Sequence, residues 1–378
     1  MNILHISNGY ADSKVHSQLT KALDTFGVEQ TVYCPVREKR LLGKNQFDGR
    51  NVKFVYSFCI KPWYKYVYRY KRWMLYRDME RMIDLHQFDG IHAHTFFSDG
   101  GLALNAYKKH GIPFIAAVRN TDINTYLKRL KHTYSIGREI ALCASKIVFI
   151  SKGEMPEFLG SDFARPIYNQ IKDKLVFQSN GIDNYWHQHI LHDQRSGHDV
   201  LYIGDYTPNK NVVRLIEAVL QLRKENGYED VRLFIVGGEK EGMVWKTDER
   251  LKQLIVDHPN AVLALGKIYD KDKLAEVMRN CAVFAMPSIH ETFGLVYLEA
   301  LSQNLPVIYT KGQGIDGIFD ESVGIGVNAL SLKEIKEAIR KILSNPMFYG
   351  NRNVCFDGFK WETIAKKYID IYNDIKIK

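Results

Sequence analysis

The chain has too little cysteine, too widely scattered, to be held by disulfides. Cys34, Cys59, Cys143, Cys281 and Cys355 are odd in number and form no CxxC pair. That excludes a disulfide framework and a zinc–thiolate site, and free thiols in a reducing compartment are expected. The start, Met1-Asn2-Ile3-Leu4-His5-Ile6, has no basic segment followed by an apolar run, so no secretory leader is expected. No apolar run approaches the ~18 residues that a membrane-spanning helix needs. Zinc-finger, helix-turn-helix and RNP signatures are missing, and nucleic acid is not an expected partner. The expected location is the cytoplasm, free or peripheral on the cytoplasmic face of the membrane.

What is present is ordinary for a globular chain. It has 378 residues, 46% hydrophobic and 25% charged. At ~150 residues per domain, two or three domains with real cores are expected. Lys and Arg number 52 against 43 Asp and Glu, a net charge of +9. Such an excess points to an anionic partner: a phosphate-rich substrate, an acidic membrane surface or nucleic acid.

Short apolar runs alternate with amphipathic stretches. Strands are expected at 2–7, 29–34, 90–94, 113–118, 146–150 and 174–178, with a helix at 17–26. This alternation implies a mostly parallel sheet covered on both faces. A polar, histidine-rich stretch then interrupts it. A second series follows, with strands at 200–204, 231–236, 262–265, 283–286 and 306–309 and helices at 212–226 and 332–343. The expected fold class is α/β, two Rossmann-like doubly wound domains facing an interdomain cleft. The boundaries are 1–184, a linker at 185–198, and 199–360, with a C-terminal helix at 361–378 packed back on the first domain. Ligands of such sheets sit outside the carboxyl ends of the strands, here in the cleft.

The most specific segment is 287–301, PSIHETFGLVYLEAL. A strand ends, a loop carries Glu291, and a helix begins near Gly294. Free N–H groups around Gly294 and Leu295 form a cradle for a phosphate. The carboxylates of Glu291 and Glu299 suit sugar hydroxyls instead. A phosphate cradle flanked by hydroxyl acceptors describes a nucleotide-sugar site.

This segment resembles the Glu-x7-Glu region of the retaining glycosyltransferases of family 4 (glycosyl transferases group 1), which have the GT-B fold. Further stretches fit the same family: 180–183 (NGID), 203–211, 234–238 (FIVGG), 265–267 (LGK) and 305–308 (LPVI). The first half fits more loosely, through its first strand, His92-x-His94 and 118–122. The resemblance implies a hexosyltransferase that takes its sugar from a nucleotide sugar, with UDP as the default. The acceptor would be a saccharide or lipid-linked saccharide in surface polysaccharide or glycolipid assembly. No metal or other cofactor is implied, the leaving phosphate helping to deprotonate the acceptor. Lys210 would contact the diphosphate, Glu291 the donor sugar and Glu299 the ribose. Phe293, Gly294, Leu295 and Val296 would meet phosphates and sugar through their backbone, near Gly204, and the base would lie by Lys267 and Ile268. His94 would reach donor or acceptor, or else be a buried histidine satisfied by a hydrogen bond. Asn8, Gly9 and Asp122 would border the acceptor.

The departures are informative. Asp205 stands where the family has arginine, and a carboxylate there repels a diphosphate. Either it points away, another cation compensates, or donor binding is weak. Arg119 is the candidate cation across the cleft. A catalytically weak GT-B protein that binds a nucleotide or glycan is the alternative function.

Other patterns have plainer readings. Gly312-x-Gly314-x-x-Gly317 has a strand before it but no helix after it, so dinucleotide binding is not expected. Asp270-x-Asp272 begins a helical run, where an aspartate is a cap. His187, His189 and His192 sit in a polar linker with nothing to fix them as zinc ligands. The stretch 61–77, KPWYKYVYRYKRWMLYR, is basic and aromatic. As one helix it would set Lys61, Lys65, Arg69 and Arg72 against Trp63, Tyr66, Tyr70, Trp73 and Met74. That suits an anionic membrane surface, or a helix packed on the first domain with its basic face in water.

Overall fold

Continuous apolar runs are what a parallel strand needs when both of its faces are covered. Seven strands form a parallel sheet in the first half of the chain: β1 (Asn2–Ile6), β2 (Glu29–Val36), β3 (Val52–Phe58), β4 (Gly90–Ala93), β5 (Phe114–Val118), β6 (Lys146–Phe149) and β7 (Leu175–Phe177). Their order is β3-β2-β1-β4-β5-β6-β7. Six more form a second parallel sheet: β8 (Val200–Asp205), β9 (Leu233–Gly238), β10 (Val262–Gly266), β11 (Val283–Ala285), β12 (Val307–Thr310) and β13 (Gly324–Val327), ordered β10-β9-β8-β11-β12-β13. Each sheet reverses its direction of growth once, beside β1 and beside β8. At such a switch point the flanking loops diverge and leave room for a ligand. The structure, a computed structural model, describes residues 1–192, 198–239 and 248–375, apart from the side chain of Lys65.

The chain divides into two compact units. One holds Met1–Ile150, Glu154–Gly181 and Gly358–Lys378, the other Ser151–Gly153 and Ile182–Asp357. The helix Trp361–Ile375 therefore belongs with the first sheet. Its buried residues, Trp361, Ile364, Ala365, Tyr368, Ile371, Tyr372 and Ile375, recur at helical spacing on one face. It lies against the helix Lys14–Thr25.

Two local expectations are corrected. Within the stretch read as linker, Asn184–Gln188 form a helical turn, capped by Asp183 Oδ1, which accepts the N–H of Tyr185 at 3.0 Å. Trp186, only 2% exposed, anchors it against the helix Leu295–Ser302. Residues 193–197 lie outside the described residues.

Residues 61–77 are not one helix either. Pro62–Tyr66 is a 3₁₀ turn, and an α-helix runs over Tyr68–Met82 after a break at Val67. Proline fixes the start of the turn, and the break changes which side chains share a face. Tyr64, Tyr68, Leu75 and Tyr76 are buried, while Trp63, Tyr66, Tyr70 and Trp73 stay exposed. Trp63 and Tyr70 stack at 5.3 Å, and the guanidinium of Arg77 covers Trp73 at 5.0 Å.

Candidate functional site

In the second unit, two turns 81 positions apart are strapped together. The turn Pro208–Lys210 follows β8, and Asn211 closes it in the left-handed region at φ 59°. Asparagine tolerates that conformation because its short side chain bonds locally. Asn211 Nδ2 donates to the carbonyls of Pro287, at 3.0 Å, and Ala329, at 2.7 Å. Asn209 Nδ2 donates to the carbonyl of His290 at 2.8 Å, and its Oδ1 accepts the N–H of His290 at 3.1 Å. These bonds bring the Nζ of Lys210 to 2.6 Å from the Oε2 of Glu291, both side chains largely buried. The glycine loop 312–317 closes over the same point. Gly314 N–H donates to the carbonyl of Glu291 at 3.0 Å, and Glu291 N–H donates to Gln313 Oε1 at 3.1 Å. No α-helix follows that loop, which is a run of turns leading to the 3₁₀ turn Glu321–Val323.

Gly294 caps the helix Leu295–Ser302 at φ 73°. A Cβ there would come within 2.5 Å of the Tyr297 ring, so the position takes only glycine without rearrangement. Leu295 and Val296 occupy the first turn, whose N–H groups have no intrahelical acceptor. Phe293, just before the cap, is buried. One turn further on, the Glu299 carboxyl is half-buried. Burial pushes it up to about 7, against a lowering by a hydrogen bond from the Trp186 side chain. Trp186 was hidden from sequence reasoning, because it lies in a stretch without periodicity.

Gly204 pairs with Gly237 across β8 and β9. A Cβ on Gly237, at φ 138°, would collide with the carbonyl of Gly204. Asp205 Oδ1 accepts the N–H and the hydroxyl of Thr207, at 3.1 and 2.5 Å, so this oxygen is engaged in its own turn. Lys267 and Ile268 follow β10, with Lys267 exposed. Asp270 caps the helix Lys271–Arg279 by accepting the N–H of Lys273 at 2.9 Å, and Asp272 accepts the hydroxyl of Tyr185 at 2.6 Å. His189 bonds the carbonyl of Tyr185, and His192 the side chain of Asn351.

In the first unit, a cavity of ≈ 650 Å³ opens at the carboxyl ends of β1, β2, β4 and β5. Asn8, Gly9, Thr95 and Asp122 are among its walls. Asp122 is a clamp. Its carboxylate accepts the N–H groups of Phe96, Phe97 and Arg119 at 3.1, 2.9 and 2.9 Å, and burial nevertheless pushes it up to about 6. Arg119 Nε donates to the carbonyl of His94 at 3.1 Å, and Nη1 to Asn180 Oδ1 at 3.4 Å.

His94 itself is fully enclosed. Its Nε2 lies 3.0 Å from His5 Nδ1, and its ring stacks on His92 at 4.1 Å. Register explains the meeting, since β1 pairs with β4 and sets His5 opposite His92. Burial pulls His5 down to about 3 and holds His16, His92 and His94 well below the usual histidine range, so the rings are neutral. Among the described residues, His5, His92 and His94 are the group with ligand atoms close enough to share an ion, within 4.8 Å. The rings of His92 and His94 are only 11° from parallel, so their nitrogens run side by side instead of converging on one point. The positive charge of Arg119 also acts on them. A stacked, hydrogen-bonded cluster accounts for this arrangement better than a metal centre does.

Comparison with known proteins agrees with this geometry. Residues 192–357 match the family described as glycosyl transferases group 1, and residues 14–165 match glycosyltransferase family 4. An uncharacterized glycosyltransferase of Methanocaldococcus jannaschii is 24% identical over 305 residues, 79% of each chain. The capsular polysaccharide biosynthesis glycosyltransferase CapM of Staphylococcus aureus is 28% identical over 243 residues, 61% of each. Among solved structures, Anabaena HepE, crystallised with UDP and glucose, superposes with a TM-score of 0.70 at 16% identity. It covers 99% of this chain and 100% of its own. The two parallel sheets are those of the GT-B fold. Among the described residues, no helix is long and apolar enough to cross a membrane.

Proposed function

We propose that this chain, which belongs to the group 1 glycosyltransferases of family 4, is a retaining hexosyltransferase that uses a UDP-sugar without a metal ion. The observation that carries this reading is the Lys210–Glu291 pair, held 2.6 Å apart beside the glycine-capped start of the helix Leu295–Ser302. A diphosphate seated on that helix start meets N–H groups and the positive end of the helix dipole. Lys210 then stabilises the charge that grows on the leaving phosphate as the glycosyl bond breaks. Glu291 holds the ammonium in place and accepts a hydroxyl of the donor sugar. Glu299 accepts the ribose hydroxyls, and Lys267 and Ile268 flank the base. The leaving phosphate takes the acceptor's proton on the same face. HepE, crystallised with UDP and glucose, supports the choice of UDP, and CapM supports a role in surface polysaccharide assembly.

The acceptor, a saccharide or lipid-linked saccharide, occupies the cavity of the first unit, bordered by Asn8, Gly9 and Asp122. His94 and Arg119 keep the strand ends around it in place. The exposed Trp63, Tyr70 and Trp73 beside Arg69 and Arg77 suit an anionic membrane surface.

Thermal shifts with UDP, GDP, ADP and their sugar conjugates test the donor. At 100 times Kd, a ligand of the native state adds about 2.7 kcal/mol of stability. A shift confined to the UDP series, and lost in Lys210→Ala and Glu299→Ala, is expected. No shift with any nucleotide at millimolar concentration would sink the reading.

A pH profile gives a second test. Glu299 is held up at about 7, so its ionised fraction grows as pH rises through that value. An ionised carboxylate is the stronger hydroxyl acceptor. The KM for donor should therefore fall as pH rises from 6 to 8, and Glu299→Gln should have a higher KM without that dependence. A variant that keeps the native profile would remove Glu299 from the donor.

A further inference from the structure

The cavity of the first unit has three cations and three carboxylates in its walls, and among the described residues two of the cations make no ion pair. Asp12, Arg37, Glu38, Lys61, Lys71 and Asp122 are the charged residues in its walls. Arg37 pairs with Asp12 at 3.1 Å, and Glu38 pairs with Arg40 at 2.5 Å. Asp122 is occupied by its three backbone N–H groups. Lys61 and Lys71 are left over.

Lys71 is the more informative of the two. Its Nζ donates to the hydroxyl of Ser98 at 2.9 Å, and among the described residues it makes no ion pair. Its ammonium is half-buried, and burial lowers its pKa even though Asp99 pulls the other way. Asp99 is not part of the cavity wall. Its Oδ1 accepts the N–H of Asn8 at 3.2 Å, and burial pushes it up to about 7, so it offers only a partial counter-charge. An ammonium has three donors, and this one spends one of them on a neutral hydroxyl. Removing such a charge from water is costly unless an anion completes it. Ser98 also begins the 13-residue helix Ser98–His110, whose dipole adds positive potential at the same wall. Lys61 lies over the ring of Phe58 at 5.5 Å, at the edge of the cavity. Tyr64 and Tyr126, both largely buried, complete the wall beside it.

We propose that the acceptor taken into this cavity carries a phosphate group, bound by Lys71 and Ser98 with Lys61 at the rim. The inference rests on the reading of the first unit as the acceptor side and narrows the acceptor to a class. A phosphate offers several strong acceptor oxygens to a lysine that acts as a point charge. A neutral sugar would leave that lysine with only the partial counter-charge of Asp99. The phosphate has two possible sources, a soluble sugar phosphate or a sugar on a lipid phosphate, and both present the same group to Lys71.

The probes are inorganic phosphate, glucose 6-phosphate and glucose, followed by amide NMR shifts on the full chain. A parallel arm uses phosphatidylcholine vesicles with and without polyprenyl phosphate. Lys71→Met removes the charge and keeps the apolar stem, and Ser98→Ala is an independent second variant. Both phosphates should shift amides around Asn8 and Ser98, and glucose should not. Affinity for glucose 6-phosphate should fall roughly tenfold to a hundredfold in Lys71→Met. It should fall several-fold in Ser98→Ala and be unchanged in Lys210→Ala. Lys71-dependent binding to the doped vesicles, competed by inorganic phosphate, assigns the lipid source. Binding of the soluble phosphates alone assigns the free one. Phosphate that shifts no amide near Ser98, or binds Lys71→Met as well as the native chain, overturns the proposal. So does phosphate binding that is lost in Lys210→Ala but kept in Lys71→Met. A chain that binds no nucleotide sugar fails the broader reading. A chain that binds one through Lys210, yet shows no Lys71-dependent phosphate site, fails this inference alone.

Discussion

Replacing Lys210 with alanine should lower kcat for sugar transfer by roughly 10²–10³. The ammonium is fixed before any substrate arrives, by the turn that ends at Asn211 and by Glu291 at 2.6 Å. A donor already oriented stabilises growing charge without waiting for the protein to rearrange, and this makes its removal expensive. The same replacement leaves Glu291 largely buried without its cation, which should cost about 1–3 kcal/mol of stability. The two effects can be separated. Glu291→Gln on top of Lys210→Ala removes the stranded charge, so the double variant should regain most of the melting temperature. It should regain none of the turnover, because nothing cationic has returned to the diphosphate. Initial rates and thermal melts on both variants check this. A double variant that recovered activity would mean that Lys210 serves only to neutralise Glu291.

The loop and helix start that carry the candidate site were legible in the sequence because they are local. Glu291, Gly294 and Glu299 lie within one loop and helix start, and their spacing alone suggested a phosphate cradle with hydroxyl acceptors. The partners that hold them were not legible. Asn209 and Asn211 reach the loop 287–291 only because β8 and β11 are neighbours in the sheet, an order that no short window contains. The cluster around His94 has the same origin, since it needs β1 beside β4 and the C-terminal helix above them. Two strands were also missed, for a physical reason. β3 and β13 each form one edge of their sheet, with β7 and β10 at the opposite edges. β3 carries Lys53 and Ser57 among its apolar residues, and β13 reads Gly-Ile-Gly-Val. The edges β7 and β10 still carry short apolar runs, whereas the polar residues of β3 and the glycines of β13 break the continuous run by which a covered parallel strand is found. The stretch 61–77 misled differently. Its periodicity is real, but Pro62 starts a 3₁₀ turn and the break at Val67 shifts the phase, turning Trp63 and Tyr70 outward together.

Ending the chain after Lys360 should unfold the first unit while leaving the second folded. The helix Trp361–Ile375 is the last of the described elements, yet it buries Trp361, Ile364, Ile371, Tyr372 and Ile375 in the first unit. Each such side chain contributes about 1.5–3 kcal/mol by leaving water. Together they rival the ~5–15 kcal/mol that a whole domain has in hand. The loss has a polar part as well. Tyr372 Oη lies 2.7 Å from His92 Nδ1, so truncation strips the buried histidine cluster of a partner and opens it to water. Calorimetry on the truncated chain should show one cooperative transition instead of two, and the remaining one should still shift with a nucleotide sugar. Tyr372→Phe isolates the polar part. It keeps the ring, deletes the hydroxyl, and should cost only about 1–3 kcal/mol. If the truncated chain kept the native transition of the first unit, the helix would be a passenger on that sheet, and the cluster around His92 would hold together without it.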